Sequence, residues 1–440
     1  MFKHIRKSSL SIVLASSLLL LSGCGEDRNE GVNSVPVPGQ SQFISAEVID
    51  EVSASAMLSI VNASLDPTAK NAFAYKAVKI TYLTSGENDE PIVASGLLVV
   101  PSATAEYQAF RVANGEDPFT VSMLCDNHGT IFTDAEAPTN IEVKNGMPDY
   151  PLAVSMTGYA GFAGIYPDYI GYGVSNKVHP HPYMLKKSSV RASLDMIKAS
   201  MKYMQDTGVA INYQLFISGY SQGGHLAMAL AEKVEKEFDG VSLKGVAPMA
   251  GPYLVDAFGD ATLKAGAKMA VPAFMAWMAD SYSNTYSNLT LDEMVLDSKL
   301  PAFTGLFDGS NSLVDVQTAL MLPLGANTEW LFKSTFISDY ESTPSHKFRT
   351  MLKQNNVGEY AATTKIKLIH CTNDDVIPAA MTAGVEMKLN SFGSTSVETL
   401  YITGVDANAS LGESVHGNCA RPAYQQAIGW FSAIRTGDIK

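Results

Sequence analysis

Ser221 stands midway between two glycines in the pentapeptide Gly219-Tyr220-Ser221-Gln222-Gly223. The apolar run QLFIS (214–218) precedes it and QGGHLAMALAEKVEKEF (222–238) follows it. The first reads as a strand and the second as a helix, so the chain must reverse within about one residue at the serine. Such a turn lifts one hydroxyl clear of a sheet and sets it over a helix N-terminus. The free N–H groups and the dipole there favour developing negative charge. Glycines two residues away on either side leave room for neighbouring backbone. G-x-S-x-G between strand and helix is the setting of a nucleophilic serine, and the backbone N–H of Gln222 is then the first donor to an oxyanion.

A serine hydroxyl is a poor nucleophile without a base, and behind this kind of elbow the chain order is serine, acid, histidine. Four histidines follow Ser221: His225, His346, His370 and His416. His225 falls in the helix that begins at the elbow, His346 in a long irregular segment, and His370 at the end of a predicted strand. His416, in GESVHGNCARPA, follows a polar region able to carry the acid and precedes a closing helix, so elimination selects it as the base. For the acid, LIHCTNDDVIP (368–378) reads as a strand followed by a polar loop, in which Asp374 and Asp375 compete. Asp256, after a strand ending near Ala250, is a third candidate. The acid's task is to orient the imidazole and stabilise its charged form. The second oxyanion donor is expected in the loop after the third strand, NHGT (127–130), with the N–H of Thr130 first and that of Gly129 the alternative. His128 reads as a brace for that loop.

Positioning these groups requires a sheet with crossovers. Strands are predicted at 74–84, 91–101, 119–130, 163–173, 214–218, 243–251, 364–371 and 396–404. The stretch 188–208 is predicted helical, because Val190, Leu194, Ile197, Met201 and Met204 step by 4, 3, 4, 3. Further helices are predicted at 222–238, at 378–390 and at 421–434. Alternating strands and helices give an α/β fold with a mostly parallel sheet covered on both faces. The alternation breaks over 257–362, a segment rich in Met, Ala and aromatics, read as a helical insertion over the sheet's edge. AGAKMAVPAFMAWMADSY is read as helical on both sides of Pro272.

The N-terminus carries a different kind of signal. Lys3, Arg6 and Lys7 precede the apolar SIVLASSLLLL (11–21), too short for a comfortable membrane span. LSGC (21–24) ends this signal peptide and resembles a bacterial lipobox, which implies cleavage before Cys24 and lipid attachment there. The alternative is a plain secretory signal with a chance cysteine. Cleavage would take the net charge of −13 to −16 by removing those three basic residues. Gly rather than Asp at position 25 would favour the outer membrane of a Gram-negative cell. The polar stretch 25–42 reads as a tether, which gives a division into signal peptide 1–23, tether 24–45, core 46–256 and 363–440, and insertion 257–362. The acidic balance, with no basic stripe, argues against nucleic acid as a partner. Cys125, Cys371 and Cys419 have no zinc-like spacing, and their odd number rules out full internal pairing.

SGLLVVP, HGT, PDYIGYG, HPY, GYSQGG, HCTNDDVIP and a late HG occur in this order from about residue 73 to the C-terminus. As a set they resemble the α/β-hydrolase superfamily, and within it bacterial esterases related to the secretory lipases of the yeast lipase A type. The resemblance implies an α/β-hydrolase fold with an inserted lid, and an ester-hydrolysing triad of Ser221, Asp374 and His416. Asp374 is favoured over Asp375 because it stands three residues before an apolar-Pro pair. The implied partner is a small-molecule or lipid ester, and no metal or organic cofactor is implied. Two other readings stay open: a serine peptidase of the prolyl oligopeptidase type, and a non-catalytic surface lipoprotein on the same scaffold. The peptidase usually carries a large N-terminal domain, for which the roughly fifty residues 24–73 are too few. One departure stands out: the acid loop begins His370-Cys371 where the pattern has His-Gly. Since acid and base loops must meet, Cys371 and Cys419 are candidates for a disulfide. Two free thiols, or a bond involving Cys125, are the alternatives.

Overall fold

Side chains alternate between two hydrophobic clusters along the central strand. Leu215 and Ile217 pack into one cluster and Phe216 into the other, the two-residue period of a sheet buried on both faces. The computed structural model describes residues 42–141, 154–407 and 414–437. The signal peptide, Cys24 and nearly all of the tether lie outside the described residues. The strands are β1 (Phe43–Val52), β2 (Ala74–Ser85), β3 (Pro91–Ser102), β4 (Val121–Asn127), β5 (Ala163–Pro167), β6 (Ile211–Tyr220), β7 (Ser242–Met249), β8 (Ile366–Cys371) and β9 (Val397–Ile402). They form one sheet in the order β1-β2-β3-β5-β4-β6-β7-β8-β9. Strands β1 to β3 run antiparallel, β3 pairs antiparallel with β5, and the run from β5 to β9 is parallel. This is the mostly parallel sheet expected from the sequence.

The helices are α1 (Ala54–Ser64), α2 (Ala105–Ala113), α3 (Lys186–Asp206), α4 (Gln222–Glu237), α5 (Val255–Thr262), α6 (Pro272–Thr285), α7 (Leu291–Met294), α8 (Leu313–Ala319), α9 (Ser334–Ser342), α10 (Lys347–Gln354), α11 (Ala380–Ser391) and α12 (Val415–Thr436). Leu194 and Ile197 of α3 and Leu226 and Leu230 of α4 cover one face of the sheet. Met57 and Val61 of α1 and Trp430 and Phe431 of α12 cover the other. The chain leaves β4 for β5 on one side and returns to β6 on the other. Ligands of open α/β sheets collect at such a switch point, at the carboxyl ends of the strands. The loop after β4 and the turn after β6 both open there.

Four expectations need correction. The strand predicted at 74–84 is not the first: β1 and α1 precede it, and Phe43–Ser45, assigned to the tether, open β1. As an edge strand with mostly exposed side chains, β1 has no buried face to impose an alternating pattern. The fourth strand stops at Pro167 rather than near 173, because Tyr169 and Gly171 take positive φ and turn the chain away. Residues 265–271, just before Pro272, are not helical; the proline opens α6, where its fixed φ and missing N–H cost nothing. The last helix starts at Val415, not near Arg421, and runs through Pro422. Ser414 caps it, accepting from Gly417 N at 2.9 Å. His416 therefore sits in the first turn of a helix rather than in a loop.

The described secondary structure within 257–362 consists of helices and short 3-10 turns, apart from the isolated bridges Lys268–Asn327 and Val295–Phe332. Trp277, Phe332 and Phe348 from this segment belong to the same cluster as the α3–α4 face of the sheet. This segment is thus packed against the sheet's helices by apolar burial.

Candidate active site

Ser221 has φ 59° and ψ −120°, a conformation that L-residues rarely occupy and that costs about 1–3 kcal/mol. The surrounding backbone enforces it. A Cβ on Gly219 would stand 2.2 Å from Gly223 O, and one on Gly223 would stand 1.7 Å from Asn127 O. No side chain fits at either position, so the two glycines are what let β6, β4 and α4 converge. The amide of Gln222 opens α4, where the first N–H groups lack an intrahelical acceptor. The loop after β4 passes against the same turn: a Cβ on Gly129 would stand 3.2 Å from Tyr220 O and 3.6 Å from Ser221 Cβ. Thr130 follows, its hydroxyl 2.9 Å from that of Tyr183. His128 braces the loop, with its ring nitrogens 2.7 Å from Gly129 O and 3.3 Å from Asp168 O and its ring stacked on Tyr169.

His416 Nε2 lies 2.9 Å from Ser221 Oγ, and its Nδ1 lies 2.7 Å from Asp374 Oδ2. A carboxylate only accepts, so Nδ1 carries the proton and Nε2 is left to accept from the serine. Asp374 Oδ1 accepts from the amides of Val376 at 2.9 Å and Ile377 at 2.8 Å. Burial by itself would raise the Asp374 pKa. Hydrogen bonds from His370 and His416 outweigh it and hold the carboxyl well below the usual range, ionised. Tyr220 adds a further brace, its hydroxyl donating to the His416 carbonyl at 2.6 Å.

The two competing aspartates are thereby separated in role. Asp375 accepts from the amides of Val415 at 3.2 Å and His416 at 3.1 Å, so it caps α12. Asp256 bonds Asn356 and the amide of Ala257. The remaining histidines sit elsewhere. His225 faces Asn355 O, at 2.7 Å, and His346 caps α10.

Sequence reasoning missed two histidines that touch this machinery. His370 lies against Asp374, with 3.2 Å between Nε2 and Oδ2. His181, from the HPY stretch, accepts from the Gln222 side-chain amide at 2.9 Å and bonds Ile170 O at 2.8 Å through Nδ1. Burial pushes its pKa down to about 3, so the ring is neutral and its Nδ1–H tautomer is fixed by the carbonyl. Neither histidine occupies a position that spacing alone marks; the HPY motif was the signal for His181 and the HCTNDDVIP motif the signal for His370.

Tyr183, Met184, Val255, Phe258, Phe274, Met278 and Ile377 enclose a cavity of ≈ 20 Å³ over Ser221 and Gln222. Its walls are almost wholly apolar. Cys371 and Cys419 form a disulfide with Cα atoms 6.1 Å apart, joining the end of β8 to the first turns of α12. Cys125 is free and buried. Among the described residues no cluster of side chains suited to a metal occurs.

The family model for secretory lipase matches residues 151–420. No curated protein matches the sequence. Among solved structures, the rice cell wall degrading esterase LipA from Xanthomonas oryzae is similar, with a TM-score of 0.74 and 24% identity over 91% of this chain and 98% of that one. A putative hydrolase from Legionella pneumophila superposes with a TM-score of 0.74 at 20% identity, covering 90% of this chain and 99% of that one. Candida antarctica lipase A follows with a TM-score of 0.56 at 13% identity, covering 88% and 82%. At these identities the structures speak for the fold, an α/β-hydrolase sheet with its helices.

Proposed function

The chain belongs to the secretory lipase family and is a carboxylic ester hydrolase, and from that premise we propose that it works through an acyl-enzyme on Ser221, with His416 as base and Asp374 as acid. Ser221 Oγ attacks the ester carbonyl carbon as His416 Nε2 takes the hydroxyl proton. The carbonyl oxygen becomes an oxyanion, held by the N–H groups of Gln222 and Thr130, with Gly129 N–H the alternative to the latter. Each such donor contributes about 2.7–4 kcal/mol to the transition state. The tetrahedral carbon re-forms its carbonyl, breaks the bond to the leaving oxygen, and His416 hands that oxygen the proton. A water then attacks the acyl carbon, His416 takes one of its protons, and the acid leaves as Ser221 regains its hydrogen. Asp374 stays ionised throughout and stabilises the imidazolium.

The observation that carries this reading is the continuous relay of 2.9 Å and 2.7 Å from Ser221 through His416 to Asp374. A common acyl-enzyme has a sharp test. In the presence of methanol, the phenyl, p-nitrophenyl and ethyl esters of one acid should give the same ratio of methyl ester to free acid. A ratio that changes with the leaving group contradicts the mechanism. Dipeptide amides in the same assay separate this reading from the peptidase alternative, which requires their turnover.

The insertion at 257–362 acts as a lid in this account. Phe258, Phe274 and Met278 come from it and close the cavity over Ser221. A space of ≈ 20 Å³ holds about one water, so an ester reaches the serine only when these side chains withdraw. We also propose that the mature chain begins at Cys24 and is lipid-anchored in the cell envelope. The family is secretory, and among the described residues no helix is long and apolar enough to cross a membrane. Mass analysis of the N-terminal peptide tests this: a diacyl or triacyl adduct on Cys24 is expected, and an unmodified Cys24 contradicts it.

A further inference from the structure

Asp374 Oδ2 carries two imidazoles. Besides His416, the fully buried His370 at the end of β8 brings Nε2 to 3.2 Å from the same oxygen. That nitrogen is also 2.9 Å from the Ile377 carbonyl, while Nδ1 is 2.6 Å from the Thr382 hydroxyl. A carbonyl oxygen and a carboxylate only accept, so Nε2 holds a proton, which it donates to the Ile377 carbonyl with the carboxylate oxygen close beside it. The acid is therefore surrounded, with the amides of Val376 and Ile377 and the His416 ring N–H bonded to it and His370 Nε2 standing 3.2 Å from Oδ2. Ile377 in turn lines the cavity over Ser221. His370 thus fixes both the oxygen that orients His416 and the backbone of a pocket wall.

We propose that His370 is a positioning residue for ester hydrolysis, holding Asp374 Oδ2 in line with His416 Nδ1 through its own Nε2–H. The proposal rests on Asp374 being the acid. A buried carboxylate with only three of these donors has a looser preferred orientation, and His416 follows it. Hydrogen bonds to a charged group are the stronger ones, and this one is made in a site closed to water. His370 touches neither substrate nor Ser221, so its removal lowers turnover and leaves ester binding largely as it was.

Two amide variants separate the ring's two nitrogens. His370→Asn places an amide near the Nδ1 position, within reach of Thr382, and provides nothing at Nε2. His370→Gln extends an amide N–H to the Nε2 position. His370→Asn is expected to lower kcat about 10- to 100-fold, with KM changed by less than about twofold. His370→Gln is expected to recover most of that loss. In an Asp374→Ala background, adding His370→Asn is expected to change kcat by less than about twofold, because the group it acts through is gone. Wild-type kcat in His370→Asn, a Gln variant no better than Asn, or an undiminished loss in the Asp374→Ala background each overturns the positioning role. Wild-type kcat in Asp374→Ala alone overturns the assignment of the acid, and this proposal with it. Thermal melts confirm that each variant is folded. If His370→Asn does not fold, Thr382→Val, which releases the ring at Nδ1, enters the same cycle and is read the same way.

Discussion

Two adjacent aspartates with different work give the residue scale its clearest test. The Asp374 side chain is fully buried and bonded to His416, whereas Asp375 is exposed and caps α12. Asp374→Asn is expected to lower kcat by about 10⁴-fold. Asp375→Ala is expected to cost about 0.5–2 kcal/mol of stability, with far less effect on kcat than Asp374→Asn. Steady-state kinetics and melts on the two variants check both, and the opposite pattern would exchange their roles. From the sequence alone this pair was open until a family spacing was invoked. What separates them is which carboxylate the chain buries after β8, and that depends on contacts with Val376, Ile377 and the distant His416. Ser221 was legible for the opposite reason: its strain is imposed by glycines two residues away, so the information is local.

Helix α12 and helix α6 carry the predictions at the scale of elements. The Cys371–Cys419 bond ties the strand that delivers Asp374 to the helix that delivers His416, across a sequence separation of 48. Closing a loop of that length contributes about 4 kcal/mol by the chain-entropy account. The double variant Cys371→Ala with Cys419→Ala is expected to melt well below the wild type, and melts with and without reductant check it. On α6, Phe274 and Met278 stand one turn apart and face the cavity over Ser221. Phe274→Ala is expected to shift preference toward longer acyl chains, measured as the kcat/KM ratio of p-nitrophenyl octanoate to acetate. The strands of the parallel half were readable because burial on both faces writes continuous apolar runs. Edge strand β1 was not, since exposure on both sides leaves pairing with β2 as the only constraint. The start of α12 was misjudged because Pro422 looks like a first-turn proline, while the true cap, Ser414, lies eight residues earlier.

For the whole molecule, pH stability follows from buried groups that oppose one another. Burial pushes His181 down to about 3 and His225 to about 4, below their value of about 6.5 in an unfolded chain. Between those limits the unfolded state binds more protons, so both histidines weaken the fold as pH falls. Burial pushes Asp126 and Asp280 up to about 6, so each binds its proton more readily in the folded state. These two strengthen the fold as pH falls from about 6 to about 4. Burial also pushes His128 and His346 down and Asp168 and Asp195 up, so the opposing slopes largely cancel and a plateau is expected from about pH 4 to 6.5. Below about pH 4 the aspartates no longer offset. Asp374, held ionised in the fold, then adds its own loss as the unfolded chain takes up the proton. Melting temperature should therefore be nearly flat over the plateau and drop steeply below it. Asp126→Asn should tilt the plateau, with stability now falling as pH drops from 6.5; an unchanged profile would contradict the balance.

The central claim is that one hydroxyl in this chain becomes acylated, and a covalent trap reads it directly. A fluorophosphonate probe reacts with an activated serine and stops at a stable phosphonyl adduct. After treatment of the purified protein, peptide mass mapping should place one adduct on Ser221, with ester turnover lost in proportion to labelling. Ser221→Ala should take no label and hydrolyse no ester above background. An adduct on another residue, or full turnover by Ser221→Ala, would contradict the account.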